Sequence, residues 1–360
     1  MYPKSWLGRW LALSALSALL GVVFLGPLNV VERLFLDGRF VVASQLSDRS
    51  AISEHTTIVL LDERSEARIG VPVGSDWREF FPEIIDILSN AGARVIVFDM
   101  EFLAEEPEWD QALSDRIVAA GNVIAGEWER GTTVQSLAES FDGIGSLRVQ
   151  AINGVPRRVG IGEGQKPLSL LAAQHFVTDP LDLSPTGMHY WISFFQPIAY
   201  FPSFSFVDLL DADGERMADS RTTPLSVFRD KTVLIGTDLP GVDRYVFPHT
   251  IGEAIPGVYG HAFAIETLLS DRPLSTLAAA LNAAILVGFS LVFCALQLSR
   301  HKYIRRLAMP LWPALVFVLS MVALVRFHLW IAFSPLFVSS IAAVLLHWMS
   351  SRWLLREGLR

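Results

Sequence analysis

The chain has 360 residues, of which 51% are hydrophobic, and its mean hydropathy is +0.40. This composition is too apolar for an ordinary soluble globule and indicates membrane-spanning segments. Residues 27–275 carry 36 acidic and 19 basic side chains, a net charge of −17, whereas the remainder carries 10 basic side chains and one acidic one, a net charge of +9. An acidic domain without a Lys/Arg cluster lacks the surface of a nucleic-acid-binding protein. The single cysteine, Cys294, excludes an intramolecular disulfide and a metal site built on thiolates.

The first predicted membrane segment is the apolar run at 6–28, which has a basic start with Lys4 and Arg9. A signal peptide looks similar, and LSALSALL offers small residues, but it forms no convincing small-x-small cleavage site before Pro27, so we expect an uncleaved anchor at 1–28. Three further apolar runs lie at 276–298, 307–325 and 329–349. Each is long enough to cross a hydrocarbon core of about 30 Å at about 1.5 Å per residue. We therefore expect three transmembrane helices within 276–349.

The basic residues predict the orientation in the membrane. The loop SRHKYIRR between the second and third runs is basic, and so is the short tail at 350–360. The positive-inside rule places both in the cytoplasm. The acidic domain at 29–275 then lies outside the cytoplasm, and the chain is a multi-pass protein in contact with membrane lipid.

The outer domain contains three short aliphatic runs, TIVLLD, ARVIVFD and TVLIGTD, which are apolar on both faces like strands covered by helices on both sides. The stretches WREFFPEIIDILSNAG and EWDQALSDRIVAAG are predicted helices, and NVIAGEW is a further strand. This βαβαβ pattern predicts an α/β domain with a mainly parallel sheet and right-handed crossovers. The Asn153-Gly154 pair predicts a hairpin. Helices are then predicted in PLSLLAAQHF, at the end of FPSFSFVDLL, and in HAFAIETLLS.

Eight stretches follow one another in a recognisable order over nearly all of 30–275: ERLFLDGRF, LDERSEARIG, GARVIVFDMEF, GNVIAGEW, GVPRRVGI, FPSFSFVDLL, KTVLIGTDLPGVDRYVFP and IPGVYGHAFAIETLL. The series resembles the second type of CHASE domain, an extracellular sensor on bacterial cyclases, histidine kinases and serine/threonine kinases. The three closing helices resemble the usual arrangement of that family, in which three membrane spans lead to a cytoplasmic effector. The resemblance implies a sensor in a bacterial inner membrane.

The sequence departs from the family pattern in three places. VPVGSDWREF keeps only part of a Trp/Pro/Arg-rich segment that the family has after the first strand. Phe263 follows His261-Ala262 where the family tends to have Asn. Eleven residues follow Met349, too few for a kinase or a cyclase, so we expect the signal to pass to a separate effector protein.

Charged and polar residues follow the predicted parallel strands at one edge of the sheet, where open α/β sheets place their ligands. The candidate site residues are Asp62, Arg64 and Ser65 after the first strand, Asp99 and Glu101 after the second, Thr237, Asp238, Asp243 and Arg244 after the third, and His261 near the start of the last helix.

The residue types leave several roles open at this edge. The carboxylates suit a hard cation, the arginines suit an anionic ligand, and a helix cap with internal ion pairs needs no ligand. We expect Asp62 and Arg64 to be chiefly architectural and to hold the first strand–helix junction against the turn that carries Asp238 and Arg244. His261 is open between a metal ligand, a pH-sensitive group and a packed histidine.

The motifs give no support for catalysis. GTDLPG lacks the spacing of a nucleotide-binding loop, and no Gly-x-Ser-x-Gly, His-Glu-x-x-His or kinase set occurs. We expect no enzyme, no cofactor and no nucleic-acid partner. The leading hypothesis is a membrane-anchored sensor or regulatory subunit, and the alternative is a scaffold subunit of a multiprotein membrane assembly. A metal-dependent enzyme using Asp62, Asp99 and Asp238 is the third hypothesis, and the sequence leaves homo-oligomer formation open.

Overall fold

The computed structural model describes residues 8, 12, 14–16, 19, 29–48, 50–152, 155–160, 164–178, 189–210, 224–250, 252–270, 274–297, 299, 301–332 and 334–356. Most of the predicted anchor at 1–28 therefore lies outside the described residues. The chain divides into two compact units, one formed by Met1–Arg39 with Leu274–Arg360 and the other by Phe40–Pro273.

The strands, in chain order, are β1 (Thr56–Asp62), β2 (Val95–Phe98), β3 (Val123–Glu127), β4 (Gly143–Ser146), β5 (Val149–Ile152), β6 (Val155–Gly160), β7 (His189–Trp191), β8 (Ser203–Ser205), β9 (Thr232–Asp238), β10 (Arg244–Val246), β11 (Ala254–Pro256), β12 (Ser275–Thr276) and β13 (Leu329–Trp330). The α-helices are α1 (Asn29–Leu46), α2 (Glu63–Ile69), α3 (Phe81–Asn90), α4 (Asp110–Ala120), α5 (Gln135–Ala138), α6 (Leu168–Gln174), α7 (Val258–Leu269), α8 (Ala279–Gln297), α9 (Lys302–Phe327) and α10 (Ser334–Arg356).

The Phe40–Pro273 unit is built on a parallel sheet of six strands in the order β4-β3-β2-β9-β1-β8. The three aliphatic runs are strands of this sheet, and the predicted α/β fold with a mainly parallel sheet is confirmed. The strand order carries one feature that the sequence does not predict. β9 pairs with β1 on one side and with β2 on the other, so the last strand of the sheet to be synthesised occupies its centre.

Helices cover both faces of this sheet because alternate residues of each strand point to opposite faces. On one face, Ile84 of α3 and Ile117 of α4 share a core with Phe98 of β2. On the other face, α7 packs against β1 and β9. A Cβ at position 236 would lie 2.7 Å from the Cβ of Val258, so the glycine in β9 allows α7 to approach the sheet closely.

The middle of the unit forms a second, smaller sheet. β5 and β6 pair antiparallel, as the predicted hairpin requires, although its turn at 153–154 lies outside the described residues. β7 adds a third antiparallel strand. The helix expected at the end of FPSFSFVDLL is a single 3-10 turn, Phe206–Leu209, preceded by the edge strand β8. The pairing of β8 with β1 keeps Ser203–Ser205 extended, so the helical turn begins only at Phe206.

Among the described residues of the other unit, two helices are long and apolar enough to cross a membrane by length and composition, over Ala280–Gln297 and Lys302–Phe327. The third predicted span corresponds to α10, of which the apolar part found among the described residues is the shorter stretch Leu336–Leu345. These helices agree with the predicted C-terminal membrane region, and the count of spans is supported only in part.

A buried acidic residue joins the start of α1 to the start of α10. Oε1 of Glu32 accepts hydrogen bonds from Arg39 at 2.7 Å and from the indole N–H of Trp330 at 2.9 Å, and Oε2 accepts from the backbone N–H of Ser334 at 2.7 Å. The side chains of Arg39 and Glu32 are 0% and 4% exposed. Both carboxylate oxygens are therefore satisfied, as burial of a charged pair requires.

Candidate functional site

The end of β1 is held by a helix cap. Oδ1 of Asp62 accepts hydrogen bonds from the backbone N–H of Ser65 at 2.9 Å, from the Ser65 hydroxyl at 2.6 Å and from the hydroxyl of Ser205 in β8 at 2.7 Å. Ser65 is fully buried. Asp62 thus starts α2 as its N-cap and ties the helix to the edge strand, which is an architectural arrangement.

Contrary to the prediction from the sequence, Arg64 does not pair with the turn that carries Asp238 and Arg244. Arg64 pairs with Asp208 at 2.5 Å, and its side chain is 66% exposed. Arg244 pairs with Asp238 and donates to the backbone carbonyl of Ala254 at 2.9 Å. Asp62 and Arg64 therefore hold the β1–α2 junction against β8 and the turn that follows it, rather than against the turn after β9.

A cavity of about 220 Å³ opens beside the carboxyl ends of β2 and β9. Its walls come from the end of β2, the segment after β3, the β5–β6 hairpin, the β9–β10 region and the start of α7. The lining residues are Asp99, Met100, Glu101, Trp128, Leu147, Val149, Ala151, Pro156, Thr237, Asp243, Tyr245, Phe247, Gly257, Gly260 and His261. Five of the ten predicted site residues belong to this lining, and Asp62, Arg64, Ser65, Asp238 and Arg244 do not.

Asp99 and His261 form the polar floor of the cavity. Oδ1 of Asp99 lies 3.4 Å from Nε2 of His261, and the two side chains are 4% and 8% exposed. Burial raises the pKa of Asp99 well above its usual value, and the neighbouring Asp243 carboxyl raises it further. Burial lowers the pKa of His261 to about 4, against the smaller opposing influences of Asp243 and the backbone carbonyl of Leu147. Both groups are thereby driven towards their neutral forms.

Asp243 faces Asp99 from the other wall on a constrained backbone. Its φ angle is +45°, in the left-handed region, and its backbone carbonyl accepts a hydrogen bond from the N–H of Gly257 at 2.6 Å. A Cβ at position 257 would clash with the carboxylate of Asp243 in its present position, so glycine leaves room for this carboxylate. Burial and the same carboxylate raise the pKa of the neighbouring Tyr245.

Glu101 orders the segment that carries the aromatic wall. Its Oε1 accepts hydrogen bonds from the backbone N–H of Trp128 at 2.8 Å and from the hydroxyl of Thr132 at 3.2 Å. Trp128 is 42% exposed, so its ring lies at the rim where the cavity meets solvent. Glu101 therefore fixes the position of one wall.

Sequence reasoning missed the apolar part of this lining. Val149, Ala151 and Pro156 belong to the β5–β6 hairpin, which was predicted as a hairpin but not as a cover for the sheet edge. Trp128 and Tyr245 follow β3 and β9 closely. The rule that ligands bind at the carboxyl ends of parallel strands could therefore have predicted both residues. Among the described residues, no group of three or more His, Cys, Asp and Glu side chains is placed to hold a metal ion.

Phe263 occupies the position after His261-Ala262 in a purely aromatic setting. Its ring meets Phe201 at 4.9 Å in an edge-to-face contact and His249 at 4.9 Å. The side chain is 1% exposed. It supplies packing at a place where the family tends to carry a polar side chain.

The CHASE2 domain model matches residues 14–296, which is most of the chain and includes every residue of the cavity lining. No curated protein and no solved structure matches the chain. The parallel sheet and the apolar C-terminal helices agree with the family match. The chain belongs to the CHASE2 family of extracellular sensor domains.

Proposed function

We propose that this protein is a membrane-anchored sensor, with its Phe40–Pro273 unit outside the cytoplasm of a bacterium, that passes a signal through its membrane helices to a separate partner protein. The stimulus is a small ligand bound in the cavity beside the ends of β2 and β9, here named the Asp99 cavity after the residue at its base. The protein is a regulatory subunit and not an enzyme.

The observation that carries the proposal is the composition of the cavity walls. Five separate segments of the chain meet around one space at the edge of the sheet where α/β folds place their ligands. A ligand there touches strand ends, a hairpin and the first turn of α7 together. A signal requires two states that the ligand binds unequally, and a ligand enclosed by several segments changes its contacts whenever any one of them moves.

The electrostatics of the same cavity favour binding over catalysis. A general base works best with a pKa near the operating pH. His261 has a pKa of about 4, because it is buried, and is a weak base at neutral pH. Asp99 is held towards its protonated form, so neither group is poised to take a proton.

The first turns of α9 and the residue before them support contact with a partner on the cytoplasmic side. Residues 301–307 are all exposed and include Lys302, Arg305 and Arg306. Tyr303 in the same segment is 66% exposed. The basic residues favour a cytoplasmic location by the positive-inside rule, and they leave a charged, aromatic surface for a protein or for lipid headgroups.

Photo-crosslinking in native membranes tests the proposal. A photoreactive residue in place of Tyr303 should capture one partner, identified by mass spectrometry. Ala151→Phe, which places a ring on the hairpin wall of the cavity, should change the yield of that crosslink. Ala67→Phe places the same ring on the exposed surface of α2, away from the cavity, and should leave the yield unchanged. A partner whose crosslink ignores Ala151→Phe would favour the scaffold hypothesis instead.

A further inference from the structure

The charged groups around the Asp99 cavity are all of one sign. Asp99, Glu101 and Asp243 line it, and among the described residues no Lys or Arg does. Two arginines next to lining residues in the chain are engaged elsewhere: Arg244 with Asp238 and a backbone carbonyl, and Arg148 with the backbone carbonyl of Trp128 at 2.7 Å. A cation would be attracted by the acidic lining and would favour the ionised form of Asp99, whereas an anionic ligand would be repelled.

One carboxylate oxygen in this cavity lacks a partner. Oδ2 of Asp99 is buried and accepts no hydrogen bond from the described residues. Leaving such a buried polar atom unpaired is unfavourable. A ligand that donates hydrogen bonds from a positive group would relieve this cost at Asp99.

The remaining walls are apolar and aromatic. Trp128, Tyr245 and Phe247 supply rings, and Leu147, Val149 and Pro156 supply aliphatic surface. These groups offer nothing to an inorganic ion but favour an organic cation, through burial and through contact of the cation with a ring face. The volume of about 220 Å³ lies below the range of about 300–1,000 Å³ that is usual for pockets of drug-sized ligands, so the ligand is small.

We infer that the cavity binds a small organic amine, with its ammonium group between Asp99 and Asp243 and its apolar part against Trp128 and the β5–β6 hairpin. This inference rests on the proposed sensor function and names the chemical class of the stimulus. The ammonium donates to Oδ2 of Asp99, and its charge favours the ionised form of that carboxyl.

Calorimetry on the full chain in detergent tests the inference with matched ligands. The probes are 2-phenylethylamine, tryptamine and n-hexylamine, each compared with the alcohol and the carboxylate of the same skeleton. We expect amines to bind, alcohols to bind about ten- to a hundredfold more weakly, and carboxylates not to bind. Equal binding of amine and alcohol, tighter binding of the carboxylate, or no binding by any amine would overturn the inference.

Three variants test whether Asp99 and Asp243 are the residues that bind the ammonium group. Asp99→Asn and Asp243→Asn should each weaken amine binding about tenfold or more while leaving the affinity for the alcohol within about twofold. Asp238→Asn removes a carboxylate from the neighbouring strand end, outside the lining, and should change neither. Binding of Ca²⁺ or Zn²⁺ alone that is lost in Asp99→Asn would replace the organic cation by a metal and overturn the inference.

The crosslinking experiment separates this inference from the proposed function. If Ala151→Phe alters the Tyr303 crosslink but no amine binds, the sensor stands and the ligand class is wrong. If amines bind at Asp99 but the crosslink is insensitive to Ala151→Phe, the cavity is a binding site and the signalling function fails.

Discussion

Asp62→Ala should destabilise the outer unit severely, whereas Arg64→Gln, two residues away, should have almost no effect. Loss of the N-cap costs about 1 kcal/mol. The buried hydroxyls of Ser65 and Ser205 also lose a charged acceptor, each such bond being worth about 1.5–3 kcal/mol. Because these two hydroxyls lie 2.9 Å apart and retain each other as partners, part of that loss is recovered. We expect a total of about 2–4 kcal/mol.

The assay is thermal unfolding of the purified full chain, followed by tryptophan fluorescence. For a domain of this size, 1 kcal/mol corresponds to about 2–4 °C, so Asp62→Ala should lower the Tm by about 5–15 °C. Arg64 is 66% exposed, and an exposed ion pair contributes about 0–1 kcal/mol, so Arg64→Gln should stay within about 2 °C of the parent protein. Asp62→Asn keeps an acceptor oxygen and should fall between the two. Equal Tm values for Asp62→Ala and Arg64→Gln would refute the cap network as the source of stability.

Three further predictions use the same protein. Val97→Asp places an unpaired charge in a fully buried strand and should abolish the protease resistance of the outer unit, whereas Val118→Asp, at a position 63% exposed on α4, should be tolerated. A cysteine replacing His301 should resist an impermeant maleimide added to intact cells, and one replacing Ala67 should react; labelling at position 301 from outside would reverse the topology. His249 is 8% exposed and burial lowers its pKa to about 4. Its folded pKa is below the unfolded value of about 6.5, so the stability that depends on His249 should fall by up to about 3 kcal/mol as the pH drops from 6.5 to 4. His249→Phe should remove this part of the slope and leave the part that comes from His261, whose pKa burial also lowers to about 4.

The sequence predicted those parts of the fold that depend on local pattern. The runs ending at Asp62, Asp99 and Asp238 are aliphatic on both faces. This pattern is typical of a strand that has helices on both sides. In the structure, the three strands pair in parallel with one another. Asp99, Asp243 and His261 came together because the carboxyl ends of parallel strands share an edge. Residue type and strand direction sufficed for these predictions.

The predictions that failed concern contacts that depend on which strands and helices become neighbours in the fold. The partner of Arg64 is Asp208, which reaches it because β8 pairs with β1, and no local feature of FPSFSFVDLL indicates that pairing. The hairpin wall of the cavity was missed for the same reason. Its strands are visible in the sequence, but the position of the hairpin over the sheet edge is set by tertiary packing.

The central position of β9 has a consequence for the biogenesis of the protein. β9 lies between β1 and β2 and pairs with both of them. It begins at Thr232, 134 residues after β2 ends at Phe98, so it is synthesised long after the two strands that it connects. At about 5–20 residues per second, the two halves of the sheet wait on the order of 10 s with their inner edges unpaired. Unpaired apolar edges associate readily with other chains. The nascent Phe40–Pro273 unit is therefore exposed to misassembly until its last strand arrives.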